Sequence, residues 1–247
     1  MVSLVIDIGN TFTKLAIFNN RTIAKTVVLE QFNIEMLREH LAAYPVTHSV
    51  ISSVDADVTA FEALLQQETR YQRFNSTYTA GIKNHYKTPG SLGLDRLAAV
   101  IGASAEFPNR NSLVIDAGTC ITYDLVDADK NYFGGSISPG LAMRYQAMHT
   151  FTQRLPSVNF SGSFNSPYGD DTPSAMQSGV QNGLLFEVSG FIESYKKTAD
   201  DLQVILCGGD FKFFDTRLKN SIFAPIVKAD PYLVLKGLNE VIHYYNA

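Results

Sequence analysis

The pentapeptide SLVID occupies Ser3 to Asp7 and recurs at Ser112 to Asp116, 109 residues apart, and each copy runs into a glycine turn: SLVIDIGNTFT against SLVIDAGTCIT. The two stretches agree at seven of eleven positions, the Asp and the Gly among them. A simple turn does not require its preceding strand to be repeated as well. A period this long lies far outside that of solenoid repeats, so the pattern indicates a duplicated domain rather than an array. With 247 residues the chain is long enough for two domains of just over a hundred each. Pro108 to Asn111 is the natural boundary, giving an N-terminal domain of 1–110 and a C-terminal domain of 111–247.

Each half begins as a β-meander. In the first, LVIDIG, TKLAIFNN and RTIAKTVVL alternate apolar and polar residues, and Asn19-Asn20 supplies a pair that tolerates a tight turn. In the second, SLVIDAG, ITYDLVD and NYFGGSIS follow the same plan, with Asp127 to Lys130 as a turn between strands. Helical periodicity follows at Asn33 to Tyr44, from Val58 to Gln67, from Gly93 to Pro108, at Leu141 to Arg154, from Pro173 to Lys197, and from about Pro231. HSVISSV and QVILCGG read as buried strands. The stretch at 75–92 is rich in Asn, Ser, Thr, Gly and Pro and is expected to be an extended loop, a class often reserved for function. Strands alternating with helices after a meander predict an α/β fold, each half a mixed sheet flanked by helices.

Both turns carry chemistry suited to phosphate. In Asp7-Ile8-Gly9-Asn10-Thr11 and Asp116-Ala117-Gly118-Thr119 the glycine lets a ligand approach the backbone, and N–H groups with Thr and Asn side chains form an anion-binding concavity. The strand-end carboxylate is placed to hold a hydrated Mg²⁺ that bridges phosphates. Two such turns facing each other across a cleft would grip a nucleotide from both sides. Thr13 and Lys14 extend the first grip. A third glycine turn, Cys207-Gly208-Gly209-Asp210, follows a strand and opens a helix, a place where α/β sheets take a nucleoside.

A net charge of −4, from 20 basic and 24 acidic residues, gives no footprint for a polyanion, so nucleic acid is not an expected partner. The N-terminus has neither the basic start nor the apolar core of a signal peptide, and no apolar run is long enough to span a bilayer. A cytoplasmic protein with no membrane partner is expected. Cys120 and Cys207 have no metal-type spacing and read as free thiols.

These residues resemble the superfamily of acetate and sugar kinases, heat-shock chaperones and actin, whose duplicated ribonuclease H-like (actin-like ATPase) domains close over ATP. Within it the chain is similar to the type III pantothenate kinases. The resemblance rests on DIGNTFTK (7–14), GLDR (93–96), DAGTCITYD (116–124), GGSISPGL (134–141), GDDTPSAMQSG (169–179), CGGD (207–210) and DPYLVLKGL (230–238). It implies ATP-dependent phosphorylation of pantothenate to 4'-phosphopantothenate, the first step of coenzyme A synthesis.

The same resemblance implies roles. Asp95 is the catalytic base. Tyr86, Gly93, Leu94, Asp95, Arg96 and Thr172 bind the substrate. Asp7, Ile8, Gly9, Asn10, Thr11, Phe12, Thr13, Lys14, Gly118, Thr119, Gly208 and Gly209 line ATP. Asp7 faces Mg²⁺ on the phosphates, and Asp116 holds a monovalent cation, potassium or ammonium. A homodimer with the substrate pocket at its interface is implied too, with Thr172 coming from the partner chain. The alternatives are a nucleotide-binding accessory or regulatory protein of this fold, or a kinase for another small hydroxy acid. The turns depart from the family's usual GTA and TGG, reading GTC and CGG.

Overall fold

The computed structural model describes residues 1–9, 11–53 and 57–246. Asn10, and Val54 at the end of HSVISSV, lie outside them. The chain forms two compact units: Met1–Pro108 with Lys130–Tyr132 and the stretch from Tyr232 onward, and Asn109–Asp129 with Phe133–Pro231.

The first unit opens with the expected meander, β1 (Val2–Ile8), β2 (Thr13–Asn19) and β3 (Thr22–Leu29). Neighbours are antiparallel, and Asn20 takes the left-handed conformation (φ 52°) that the tight connection demands. Helix α1 (Ile34–Ala43) starts where Asn33 accepts a hydrogen bond from the Met36 N–H. After it come β4 (His48–Ser53), α2 (Thr59–Glu68) and β5 (Arg70–Arg73). The short β5 is too polar to announce itself in the sequence. The sheet order is β3-β2-β1-β4-β5, with β1, β4 and β5 parallel.

Alternation on β1 divides its residues between two faces. Leu4 and Ile6 join Leu15, Ile17, Leu37, Ile51, Leu64 and Leu65 in one core. From the opposite side of the strand, Ser3 donates to Asn239 at 2.6 Å. The expected loop holds only the two-residue strand β6 (Lys83–Asn84), which pairs with Asn131 and Tyr132, and a 3-10 turn at Pro89–Ser91. Helix α3 (Leu94–Glu106) follows, buried from Arg96 to Ala103.

The second unit repeats the plan. Strands β7 (Ser112–Ala117), β8 (Cys120–Val126) and β9 (Asn131–Pro139) lead to α4 (Leu141–Thr150) and α5 (Thr172–Lys196). Then come β10 (Gln203–Cys207), α6 (Phe211–Leu218) and the unanticipated three-residue β11 (Val227–Ala229). The order β9-β8-β7-β10-β11 matches that of the first sheet, with the two-residue β6 added beyond β9, and β7 is antiparallel to β8 and parallel to β10. Val180, Leu184, Val188 and Ile192 recur every fourth residue on α5 and pack over Leu113, Ile115 and Ala117. Each such buried aliphatic side chain contributes about 1.5–3 kcal/mol through loss of apolar surface to water.

The last helix, α7 (Leu233–Tyr245), follows β11 as α3 follows β5. It packs on α3 and on β1, β2 and β4, so it belongs with the first unit rather than with the residues preceding it. No helix among the described residues is long and apolar enough to cross a membrane.

Candidate active site

In the first unit the strand β1 carries Asp7 and Ile8 to the rim of the sheet. Ile8 packs against the core, so its side chain is committed to structure and only its backbone is available. The Gly9 N–H donates to the Phe12 carbonyl at 3.1 Å and closes the turn. Thr11 and Phe12 are exposed on it, and Thr13, buried, begins β2. Lys14 stands directly across from Asp7 in the antiparallel pair, which puts ammonium and carboxylate on one face of the sheet.

The loop and α3 build a second cluster in this unit. Gly93 is the N-terminal cap of α3, and a side chain there would fall 2.6 Å from Asp95 Oδ1, because that oxygen turns back over the helix start. Oδ1 accepts from the Arg96 N–H at 2.8 Å. Asp95 itself is exposed. Arg96 is buried, with its guanidinium 5.7 Å from the centre of the Tyr86 ring, and that ring stacks on Tyr132 at 6.5 Å and 8°. Leu94 is half-buried beside them. Tyr86, Gly93, Leu94, Asp95 and Arg96 are thus brought together: an exposed carboxylate beside a guanidinium held over an aromatic ring.

In the second unit three glycine turns converge. The Gly118 N–H donates to the Cys120 carbonyl at 3.0 Å, and Thr119 is exposed at the tip. Gly208 adopts φ +86°, and a Cβ there would lie 2.3 Å from both the Ala117 carbonyl and Asp116 Oδ1. The Asp210 N–H donates to the same carbonyl at 2.8 Å, while Gly209 faces open space. Behind Thr119, a Cβ on Gly140 would sit 2.1 Å from the Gly118 carbonyl, and the Gly140 N–H donates to Thr119 O at 3.1 Å. A cavity of about 650 Å³ opens beside the third turn, lined by Leu141, Tyr145, Val158, Phe160 and Asp210 among others. Burial pushes the Asp210 carboxyl above its ordinary value.

Thr172 is the first residue of α5. The cap of that helix is Asp171, whose carboxylate accepts from the Ser174 N–H at 2.8 Å. Thr172 is exposed and free of that duty. Asn10 lies outside the described residues.

The donor sets differ at the two aspartates. No group of three or more His, Cys, Asp or Glu suited to a metal occurs among the described residues. A cation held largely by ligand oxygens and water, as Mg²⁺ on phosphates is, asks the protein for a single carboxylate. Asp7 answers that description. Across from Asp116 stands Thr122, on the same sheet face, and its Oγ1 is buried with no hydrogen-bond partner. A carboxylate beside an unsatisfied hydroxyl oxygen is a fit for a hard monovalent cation.

Sequence reasoning passed over this hydroxyl, although the hairpin register would have placed it. It also missed Glu187 on α5, whose Oε1 accepts from Tyr123 (2.8 Å) and Ser138 (2.6 Å) and whose Oε2 accepts from Arg144 at 2.6 Å. Burial pushes this carboxyl up, and the three hydrogen bonds more than offset it, leaving it below the usual carboxylate range. An acidic residue within the buried stripe of α5 was the available signal.

The sequence model of the family described as type III pantothenate kinase matches residues 3–194. A type III pantothenate kinase of Phocaeicola vulgatus is 41% identical over 247 residues, covering 98% of each chain. Among solved structures, one from Campylobacter jejuni described as a Baf family transcriptional activator superposes with a TM-score of 0.63 at 20% identity, covering 98% of both chains. The activator of 2-hydroxyisocaproyl-CoA dehydratase from Clostridium difficile, solved with bound ADPNP, gives 0.55 at 11% identity, covering 100% of this chain and 96% of its own. At such identities the two structures speak to the fold alone, which is the actin-like α/β fold expected.

Proposed function

The chain belongs to the type III pantothenate kinase family, and from that premise we propose how its residues divide the work. The protein phosphorylates pantothenate at the expense of ATP, the opening step of coenzyme A synthesis. The observation that carries the site reading is the α3 cluster, where the exposed Asp95 carboxylate adjoins Arg96 over Tyr86. Phosphoryl transfer needs alignment, screening of phosphate charge and a group to accept the attacking hydroxyl's proton. Asp95 accepts that proton at a carboxylate oxygen. Arg96 offers its planar guanidinium to the carboxylate of pantothenate, with Tyr86 fixing the guanidinium's plane. Thr172, relieved of capping, offers a hydroxyl to the substrate.

The Gly9–Phe12 turn with Lys14 and the Gly118–Thr119 turn receive the phosphates through backbone N–H groups and hydroxyls. Gly208 lets the third turn close against Ala117 while Gly209 leaves room for the nucleoside, and the cavity beside Asp210 supports that placement. Asp7 would hold Mg²⁺, and Asp116 with Thr122 a potassium or ammonium ion; when bound, these ions would supply positive charge that neutralises the phosphates. The protein works in the cytoplasm as a homodimer, with Thr172 serving the partner's substrate. In support, Gly179, Gly183 and Gly190 recur with the exposed Phe186 along one stripe of α5, with open space beside each glycine.

The decisive assay couples ADP release to pantothenate addition with Mg-ATP, in potassium and then in sodium. Pantothenate-dependent ADP, greater in potassium, is expected. No ADP where a reference pantothenate kinase gives it would overturn the substrate reading, and equal rates in the two salts would overturn the cation.

A further inference from the structure

We propose that Glu187 is a positioning residue for the nucleotide turn at 116–120, resting on the reading that Thr119 contacts ATP. One carboxylate gathers three elements. It accepts from Tyr123 on β8, from Ser138 at the end of β9, and from Arg144 on α4 at 2.6–2.8 Å. Arg144 in turn donates through Nε to the Pro139 carbonyl at 2.8 Å. The segment Ser138-Pro139-Gly140 is therefore pinned from both sides.

That segment is the back wall of the turn. Gly140 donates to Thr119 O and sits so close to the Gly118 and Thr119 carbonyls that a methyl group would not fit. Tyr123 leaves the same turn along β8, so Glu187 fixes both the strand that exits the turn and the wall that supports it. The charge matters as well as the shape. An amide at 187 would still accept from Tyr123 and Ser138, but its NH₂ would face the Arg144 guanidinium, donor against donor. The wall would loosen, and Thr119 with it. Since α5 begins at Thr172, the helix that contacts the acceptor substrate at its first residue also anchors the nucleotide turn from its middle.

The test is the near-isosteric Glu187→Gln, with KM for ATP and for pantothenate measured separately beside thermal unfolding. KM for ATP is expected to rise about tenfold, with kcat and the pantothenate KM within about twofold, because only the positioning of the nucleotide groups is disturbed. Tyr123→Phe removes one of the three hydrogen bonds, folds more safely, and should raise the ATP KM about two- to threefold. A lower unfolding temperature with both KM values unchanged would reduce Glu187 to a structural role and overturn the proposal, as would an equal rise in both. Thr119→Ala separates this from the reading beneath it. If Thr119→Ala raises the ATP KM and Glu187→Gln does not, the positioning role alone falls. If Thr119→Ala changes nothing, the turn is not a nucleotide contact and both fall.

Discussion

The two copies of SLVID build the same strand in the same place in two sheets of the same order, yet their turns are not equivalent. From Asp7 to its cross-strand partner Lys14 the chain spends one residue more than from Asp116 to its partner Thr122. The partners differ in charge. Opposite Asp7 stands an ammonium group, so the first turn sets opposite charges across from each other, the pattern we assign to phosphates with Mg²⁺. Opposite Asp116 stands a buried hydroxyl without a hydrogen-bond partner, so the second turn sets a carboxylate across from a neutral oxygen donor. Support differs too. A Cβ on Gly140 or Gly208 would fall 2.1–2.3 Å from carbonyls of the second loop, whereas a Cβ on Gly9 would meet nothing nearer than the Phe12 carbonyl at 3.3 Å. The same scaffold thus carries two turns that differ in charge pattern and in packing.

The largest effect should come from neither turn. Asp95→Asn is nearly isosteric, and if the base lies outside the repeat, kcat should fall by about 10³–10⁴ with an unchanged unfolding temperature. Turnover within tenfold of the parent would return the search for a base to the repeated aspartates. Next, Asp7→Asn and Asp116→Asn should separate. The first should lower kcat/KM for Mg-ATP by about a hundredfold and shift its magnesium dependence, the order expected for one electrostatic group. The second should leave the magnesium curve in place and abolish the difference between potassium and sodium. Identical profiles for the two variants would break the comparison.

A sharper form exchanges the partner. Thr122→Lys gives the second turn the first turn's charge pattern, and its ammonium would replace the bound cation. The ratio of rates in potassium and sodium should fall from about tenfold to about one, a loss of about 1.4 kcal/mol of cation preference. A ratio that stays at the parent's value in a folded Thr122→Lys protein would remove Thr122 from the cation site.

Much of this was legible in the sequence, for physical reasons that also set its limits. Buried strands with a shared Asp and Gly announce themselves because a core strand tolerates little but apolar residues, and helices show through their period. Asn33 as a cap and Asn20 in a left-handed turn follow from local chemistry. Short edge strands such as Arg70–Arg73 and Val227–Ala229 did not show, since three or four residues carry no period. Nor did the membership of α7, whose apolar face is plain but whose partner, α3, is fixed only by tertiary packing. Among site residues, Tyr86, Asp95 and Arg96 lie close enough in sequence to be read together. Glu187 draws its meaning from Tyr123, Ser138 and Arg144, 43–64 residues away.

The difference in support can be tested through stability. Gly208→Ala forces a side chain into a left-handed residue and against the Ala117 carbonyl, and should cost about 2–4 kcal/mol by chemical denaturation. Gly9→Ala meets only a contact that a few tenths of an ångström would relieve, and should cost less than about 1 kcal/mol. Equal costs would mean that the first turn is as tightly packed as the second.

The smallest effect concerns Asp210, whose backbone N–H ties the third turn to the second. Burial raises its carboxyl pKa in the folded state, so folding favours the protonated form. The folded protein therefore binds more protons here than the unfolded chain does, and stability is lost as pH rises through the carboxylate range. Asp210→Asn removes the charge and keeps the shape. It should raise the unfolding temperature by about 1–2 °C at pH 7, and leave it unchanged at about pH 3, where the aspartate is already neutral. A gain at pH 3 as large as at pH 7 would show that the amide helps by hydrogen bonding. A loss at pH 7 would show that the ionised carboxylate itself stabilises the turn, setting it beside Asp7 and Asp116 as a third strand-end charge rather than a buried cost.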